Sequence, residues 1–390
     1  MLVHGMSTPD NKGREELCVA GVHLESEGYP NTLFRLRDLR DSDIYELREF
    51  CFPMWPSALS ERKGALGRMR AVLRAIVAHL YVFVKIAIYA PRKKVYVPYP
   101  SVFVLWMLSF MPRRYSPSAI IADVFISLYD TIVIDRGMLQ VKSIAAKILK
   151  LVEERAYRTA KLLVVDTEQN AIYLSALFRL PKDKFVSIPL STDERNFRPV
   201  PYRQNKGVHT VLFVGTMIPL HGVGTILEAI DLLAEHENLH FQFIGDGQDA
   251  GLVDAWLNRG PRANFTWQRD WMSSKQLAEA IANADICLGI FGEGDKTQRV
   301  CPLKMYAYFG VGRAVITGDT RWVRDSETKE GVGWISVPIG DPVSLASAIV
   351  ELAANPSRCE RLGDAAANFY SAQLNNSLAL ARLLDCFKRP

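Results

Sequence analysis

The chain has 390 residues, of which 49% are hydrophobic and 23% are charged, and its formal net charge is +5. This length suffices for two domains, and the composition excludes a disordered chain. The small positive charge does not indicate a nucleic-acid partner, and none is expected. The six cysteines are scattered without a CxxC pair, which favours reduced thiols in a cytosolic protein and no zinc site. No long apolar segment follows Met1, so no signal peptide is expected.

The first forty residues predict a strand, a loop, a helix and a second strand. Residues 1–3 are apolar, residues 15–27 have apolar positions at helical spacing, and residues 32–36 alternate as in a strand. This order is typical of the start of a Rossmann-like domain, although the GxGxxG fingerprint is absent. The loop after the first strand would border a ligand cleft. The residues predicted there are Gly5, Ser7, Lys12 and Gly13.

Two apolar segments with basic ends follow, at 62–94 and 102–114. The uninterrupted part of the first is shorter than the roughly 20 residues of a membrane-spanning helix, and His79 and Lys85 fall within it. One interpretation is two core helices with basic ends. The other is surface helices that lie on an anionic leaflet, with Trp106 and other large apolar side chains at the interface.

The rest of the first half alternates strands with helices and contains two notable carboxylates. Strands are predicted at 94–98, 119–128, 162–165 and 185–189, and a long helix at 143–160. Asp123 lies within the second of these strands and Asp130 just after it, where side chains of such sheets reach the cleft. The alternatives are a structural acid for Asp123 and a helix cap for Asp130. The polar residues 191–207, with two prolines, predict a linker.

The second half repeats the alternation of strands and helices, which predicts a parallel sheet covered on both faces. Its predicted strands are 210–214, 240–244, 265–267, 285–291, 314–317 and 334–337, and its predicted helices 223–236, 249–258, 273–284 and 342–354. A final amphipathic helix at 367–388 could pack against the first domain. The predicted fold class is therefore α/β, with two Rossmann-like domains and a cleft between them.

The stretch 292–319 reads as a loop, a helix and a buried strand. Pro302 suits the first turn of the helix, and Arg299 and Lys304 flank its N-terminus. Unpaired N–H groups and two cations at a helix N-terminus are suited to phosphate oxygens. The alternative is an ordinary structural unit with solvated basic residues.

Six segments occur in an order that is typical of one enzyme family. They are VVDTEQNAIYL at 164–174, FRPVP at 197–201, FVGTMIPLHGVGTILEAI at 213–230, FIGDGQ at 243–248, ADICLGIF at 284–291 and RVCPLKMYAYFGVGRAVITGDT at 299–320. By these segments the chain resembles the retaining family-4-type nucleotide-sugar glycosyltransferases (glycosyl transferases group 1), which have the GT-B fold. DVFISLYDT at 123–131 is similar to a bacterial surface-polysaccharide subgroup. The expected units are an acceptor-binding domain 1–200, a nucleotide-sugar-binding domain 201–366 and a returning helix 367–390.

The resemblance implies transfer of a sugar from a UDP or GDP donor to a glycan or lipid-linked acceptor, with retention and without a metal or another cofactor. Asp123 or Asp130, from their place at the end of a predicted strand, would act at the reaction by orienting the acceptor or the sugar. His221 would bind phosphate better in its protonated form. The two acids of the family's paired-glutamate motif are replaced by Arg299 and Ala307. The expected donor-binding residues are Gly215, Thr216, His221, Gly222, Gly245, Asp246, Glu293, Asp295, Arg299, Pro302 and Lys304.

The expected location is cytoplasmic and peripheral, on the inner face of the cytoplasmic membrane, with an anionic membrane surface as a partner. Closure about the linker 191–207 would exclude water from the cleft. Ala307, in place of the acid that holds the ribose, also leaves open a catalytically weakened protein that acts as a binding or scaffold partner. A phosphorylase or epimerase of the same architecture lacks the expected phosphate or cofactor-lysine motif, and an oxidoreductase lacks the glycine fingerprint.

Overall fold

The computed structural model describes residues 14–23, 29–53, 65–203, 207–260, 262–327 and 333–389. Within these residues, two six-stranded parallel sheets are each covered by helices, and the chain passes from one unit to the other and back. This confirms the predicted α/β class with two Rossmann-like domains.

The first sheet has the strand order β2-β1-β3-β4-β5-β6. Side chains alternate across it, so Cys18 and Ala20 face one layer of helices while Leu17 and Val19 face the other. The strands are β1 (Glu16–His23), β2 (Glu46–Pro53), β3 (Lys94–Val97), β4 (Ala119–Asp123), β5 (Leu162–Val165) and β6 (Phe185–Ser187). The helices are α1 (Pro30–Asp41), α2 (Ala65–Tyr89), α3 (Val102–Leu108), α4 (Ile144–Thr159) and α5 (Glu168–Phe178).

The prediction for the first forty residues is wrong in its type of element. The predicted helix at 15–27 contains β1, and the predicted strand at 32–36 lies inside α1. Both faces of β1 are covered, so nearly every residue of the strand is buried and the alternation that marks a half-exposed strand is absent. Pro30 stands at the start of α1, where its fixed φ and missing N–H are tolerated.

The second sheet has the strand order β12-β11-β10-β7-β8-β9, with all described pairs parallel. Because β7 pairs with both β10 and β8, the strand order reverses there, and the loops after β7 and β10 flank a crevice. The strands are β7 (His209–Val214), β8 (Leu239–Ile244), β9 (Phe265–Gln268), β10 (Ile286–Leu288), β11 (Ala314–Gly318) and β12 (Trp334–Val337). The helices are α6 (Val223–Leu232), α7 (Ala250–Leu257), α8 (Ser274–Asn283), α9 (Leu303–Val311), α10 (Arg321–Ser326), α11 (Pro342–Ala353) and α12 (Pro356–Phe369).

The final helix, α13 (Asn376–Lys388), returns to the first unit, as predicted. Its residues Ala379, Leu383 and Phe387 are buried together with Leu17 and Val19 of the first sheet. The helix thus completes the core on the face of the first sheet that α1 also covers.

The first residues of the predicted linker, 191–207, are buried although their side chains are polar. Ser191 and Thr192 are buried, and the backbone N–H of Thr192 donates to Asn376 Oδ1 at 3.0 Å. The side chain of Asn376 donates back to the carbonyl of Thr192 at 2.9 Å. The two segments that cross between the units are therefore hydrogen-bonded to each other, and a hinge at this place would move both together.

Candidate functional site

The loops after β7 and β10 meet at the carboxyl edge of the second sheet. The N–H of Phe291 donates to the carbonyl of His221 at 3.2 Å, and the N–H of Gly292 donates to Leu220 at 3.1 Å. These bonds fasten the loop 215–222 to the start of the stretch 292–319. The two segments that the sequence singled out therefore form one surface at the switch point of the sheet.

Close backbone packing at this surface depends on glycines. A Cβ on Gly222, whose φ is +65°, would lie 2.5 Å from the carbonyl carbon of Phe291. A Cβ on Gly247, whose φ is +156°, would lie 1.6 Å from the carbonyl oxygen of Thr216. No other residue type fits at these distances, so the loop after β8 is pressed against the loop after β7. Gly247 was not among the predicted site residues, although the GDG triplet in the loop after β8 is the signal that could have identified it.

Lys304 lies in the first turn of α9, which Pro302 precedes. Its side chain is only 8% exposed; its Nζ lies 3.4 Å from the carbonyl oxygen of Gly289 and 4.0 Å from the ring centre of Phe213. Among the described residues, no carboxylate lies within ion-pair distance of this ammonium group. Burial lowers the pKa of Lys304 well below 10.5. The site thus contains a buried lysine side chain that has no carboxylate partner within the described part of the chain.

His221 ends a short 3-10 turn, Pro219–His221, and is also buried. The N–H of Ile218 donates to its Nδ1 at 3.5 Å, which leaves Nε2 as the proton-bearing nitrogen of a neutral ring. Burial and the nearby charge of Lys304 lower the pKa of His221 well below 6.5. The ring is therefore neutral near pH 7 and not in the protonated form that would bind phosphate better.

Gly215 brings Lys304 and His221 together. A Cβ built on Gly215 would lie 2.7 Å from Cε1 of His221 and 2.9 Å from Nζ of Lys304. Both side chains thus press against the backbone at the end of β7, and Gly215 leaves room for them. The amino group of Lys304, the ring of His221 and the N-terminus of α9 therefore lie side by side, which is an arrangement suited to an anion.

The other predicted donor-binding residues of the second unit line the edges of this surface. Thr216 and Glu293 are exposed, with the side chain of Glu293 near Gly340. Gly245 packs closely against Gly215. A Cβ built on Gly245 would lie 2.0 Å from the carbonyl oxygen of Gly215. Asp246 is held in an exposed ion pair with Arg269, 3.1 Å away.

Arg299 does not join Lys304 and instead links the two units. Its guanidinium group donates to Asp130 at 2.7 Å, to Asn170 at 3.0 Å and to Asp295 at 2.9 Å, and it stacks 3.5 Å from the ring centre of Tyr173. Burial opposes the charged form, but Asp130 and Asp295 hold the pKa of Arg299 above its ordinary value. The predicted phosphate cation and the predicted catalytic acid are therefore partners of each other.

Lys296 extends this contact. Its ammonium group donates to the hydroxyl of Thr131 at 2.8 Å and lies 3.4 Å from Asp135 and 3.8 Å from Asp130. We name the group Asp130, Asp135, Asp295, Lys296 and Arg299 the cross-domain ion cluster. The sequence did not predict it, because the acids of the first unit lie 160 or more residues from the members in the second unit. The charges of each unit look solvated when considered by themselves.

Asp123, the other predicted catalytic residue, is buried at the end of β4. Its carboxylate forms an ion pair with Arg35 of α1, and Arg35 also donates to the carbonyl of Pro189 at 2.7 Å. Burial raises the pKa of Asp123, and the charge of Arg35 opposes that rise. These contacts match the alternative of a structural acid, which the sequence analysis had left open.

The remaining residues singled out in the sequence are Ala307 and those of the predicted cleft loop. Ala307 follows Lys304 by one turn of α9 and packs in the core of the second unit, 5% exposed. The predicted cleft residues Gly5, Ser7, Lys12 and Gly13 lie outside the described residues. Within the described part of the chain, no three His, Cys, Asp or Glu side chains are grouped closely enough to hold a metal ion.

Residues 208–355 match the family model described as glycosyl transferases group 1. No curated protein sequence matches the chain. The matched residues contain β7 to β12 and every residue of the Lys304 site, so the comparison falls on the part of the chain where the candidate site lies.

Solved structures resemble the whole chain. Sucrose-phosphate synthase from Thermosynechococcus elongatus has a TM-score of 0.69 at 15% identity, covering 96% of this chain and 98% of its own. HepE from Anabaena in complex with UDP-glucose has a TM-score of 0.65 at 11% identity, covering 96% and 100%. A glycosyltransferase from Rickettsia africae has a TM-score of 0.60 at 12% identity, covering 97% and 98%. Together with the sheet topology, these likenesses show a GT-B fold.

Proposed function

We propose that the protein is a glycosyltransferase that binds a nucleotide-diphosphate sugar at the carboxyl edge of its second sheet. The observation that carries the proposal is the buried ammonium group of Lys304, which has no carboxylate partner among the described residues and lies beside His221 and Gly215. The match of residues 208–355 to the group 1 glycosyltransferases and the UDP-glucose bound to the similar HepE support it.

Burying a charge costs free energy, and Lys304 is buried. An ammonium group without a counterion is unstable in a dry site, and its pKa falls as a result. A bound diphosphate supplies the missing counterion and restores the charged form. Because the negative charge on the diphosphate grows as the sugar bond breaks, the same contact stabilises the transition state more than the ground state.

The other groups have complementary roles. Nε2–H of the neutral His221 can donate to a phosphate oxygen, and the N–H groups at the start of α9 face the same region. Thr216, Gly245, Asp246 and Glu293 border the donor. From the family resemblance we further propose that the protein transfers a hexosyl group with retention and without a metal. The acceptor is a glycan or a lipid-linked molecule, and the pathway is surface-polysaccharide synthesis.

A nucleotide-release assay tests the activity. Purified protein is incubated with a panel of UDP- and GDP-sugars and a membrane lipid extract as acceptor, and released UDP or GDP is measured. We expect release with one donor that depends on the extract and is lost in Lys304→Met. Release that is the same in Lys304→Met would refute the role of Lys304, and absence of release with every donor would count against the enzyme.

A binding or scaffold protein on a glycosyltransferase fold is the second candidate. Two observations favour it: Ala307 stands where the family has an acid, and Asp130 is engaged by Arg299 instead of facing an open cleft. Calorimetric titration with UDP and GDP separates the candidates. Tight binding of one nucleotide supports the transferase, whereas absence of binding of either supports the scaffold.

A further inference from the structure

Helix α2 leaves most of its apolar surface uncovered. It buries a narrow stripe, Ala71, Ala78, Val82 and Ile86, against the first sheet. Its segment Met69–Tyr89 is long and apolar enough to cross a membrane by length and composition, with a mean hydropathy of 1.9, yet only 22% of its most apolar window is buried. The large side chains exposed along it are Met69, Val72, Leu73, Ile76, Val77, Leu80, Tyr81, Val84 and Ile88. The uninterrupted apolar part is still shorter, because His79 and Lys85 fall within this segment.

Two neighbouring helices extend this surface. Phe103 at the start of α3 is about half exposed and packs edge-on against His79 of α2, 5.9 Å between ring centres. Phe110, just after α3, is also exposed and lies 4.0 Å beneath the guanidinium of Arg155 on α4. Helix α4 carries its own exposed apolar side chains, Ile144, Ile148 and Leu151. We name the exposed apolar residues of α2, α3, the residues just after α3, and α4 the apolar face.

Basic residues predominate along the segments that carry the apolar face. From residue 62 to residue 122 the sequence contains eleven Lys or Arg and no Asp or Glu. From residue 136 to residue 152 it contains four more basic residues and again no acid. Arg70, Lys142 and Lys147 among them are exposed. Fifteen of the 47 Lys and Arg residues thus lie in two acid-free stretches that include α2, α3 and the first half of α4. Of the two acids farther along α4, Glu153 is buried and Glu154 is paired with Arg158.

We propose that the apolar face docks on an anionic lipid bilayer, with its apolar side chains in the interface and its Lys and Arg at the headgroups. Large apolar residues beside a predominantly basic surface are the chemistry that an anionic leaflet recognises. A second copy of this chain would bring like charges together. The buried stripe of α2 belongs to the core of the first sheet, so α2 lies along the bilayer surface and does not cross it. This inference is independent of the proposed activity.

The test compares two matched pairs of substitutions in the full chain. Leu73→Asp with Leu80→Asp changes the apolar face at side chains that are 61% and 49% exposed. Leu232→Asp with Leu252→Asp makes the same change in the second unit at side chains that are 56% and 49% exposed. Circular dichroism and thermal unfolding establish that both variants fold. Because all four positions are solvent-exposed, both variants are expected to unfold within a few degrees of the unsubstituted protein.

Binding is measured by co-sedimentation with vesicles of phosphatidylcholine alone or mixed equally with phosphatidylglycerol. We expect binding to the anionic vesicles that exceeds binding to the neutral ones, falls with added salt, falls at least tenfold in Leu73→Asp with Leu80→Asp, and is unchanged in the second-unit pair. Alkaline carbonate should release the bound protein. Equal loss in both pairs, no preference for anionic vesicles, or retention after carbonate would overturn the proposal. So would a dimer in solution that dissociates in Leu73→Asp with Leu80→Asp and does not bind vesicles.

Discussion

The guanidinium of Arg299 lies 2.7 Å from the carboxylate of Asp130, and both side chains are buried between the two units. Arg299 stands where the resembling family has the first acid of its paired-glutamate motif. The charge at this position is therefore reversed, and the reversal has a partner in the other unit. This pair joins the two units a few residues before α9.

The Asp130–Arg299 pair should contribute strongly to stability. We expect Asp130→Ala to lower the free energy of unfolding by about 3 kcal/mol, because it leaves a buried guanidinium with fewer partners. The matched control is Asp319→Ala, which removes the exposed pair with Arg324 and should cost less than about 1 kcal/mol. Urea unfolding measures both. Equal losses of unfolding free energy in the two variants would show that the cross-domain ion cluster stabilises the fold no more than an exposed ion pair does.

Gly215 should be required for binding more than for folding. In Gly215→Ala the new Cβ meets His221 and the ammonium of Lys304 at under 3 Å, so both must move. We expect UDP affinity to fall about tenfold or more, which corresponds to about 1.4 kcal/mol. Gly224→Ala is the control, since nothing lies within 4 Å of its Cβ and alanine favours the helix α6. Calorimetry measures the UDP affinity of both variants. An unchanged affinity in Gly215→Ala would show that Gly215 is not part of the UDP site.

Asp166 should make stability depend on pH between about 4 and 6. Burial raises the pKa of its carboxyl group from 3.8 to about 6, with Asn170 opposing the rise through a hydrogen bond of 2.8 Å. A carboxyl whose pKa is higher in the folded state stabilises that state below pH 4, and this contribution is lost as the pH rises through 6. The change corresponds to about 3 kcal/mol for a two-unit rise.

The measurement for Asp166 is the free energy of unfolding of the unsubstituted protein and of Asp166→Asn across this pH range. We expect the difference between the two curves to shift in favour of Asp166→Asn as the pH rises from 4 to 7. Parallel curves would mean that Asp166 does not titrate in this window.

Ala307→Glu tests the position of the ribose. Ala307 follows Lys304 by three residues and so lies on the same side of α9. If the ribose lies there, a carboxylate should accept its hydroxyls and tighten UDP binding by about tenfold, as expected of a hydrogen bond to a charged group. Ala307→Gln controls for size and fold. A UDP affinity that is the same in the Glu and Gln variants would place the ribose elsewhere.

The sequence predicted most of the second unit and the returning helix but misjudged the first forty residues. Strands β7, β8, β10 and β11 are short apolar runs that end at glycine or a turn, and such boundaries are visible in the sequence. β1 is buried on both faces, so its periodicity carried no information about strand or helix. The start of the first unit was therefore placed on residues that precede β1.

For the site, the sequence identified the correct loops but not the pairing of charges. Lys304, His221 and Gly215 were selected by their order along the chain, and the structure brings them together. Arg299 was assigned to the same anion because it is close to Lys304 in sequence. Its actual partner, Asp130, is 169 residues away, and only the packing of the two units determines that contact.

The most direct measurement of the central claim is calorimetric titration of UDP into the unsubstituted protein and into Lys304→Met, with Lys275→Met as an exposed control. Because burial lowers the pKa of Lys304 in the free protein, a bound diphosphate should raise it and binding should take up protons, which titrations in buffers of different ionisation enthalpy detect. The account predicts UDP binding with proton uptake in the unsubstituted protein and in Lys275→Met, and an affinity at least tenfold weaker, without that uptake, in Lys304→Met. Equal affinity and equal proton uptake in all three proteins would contradict it.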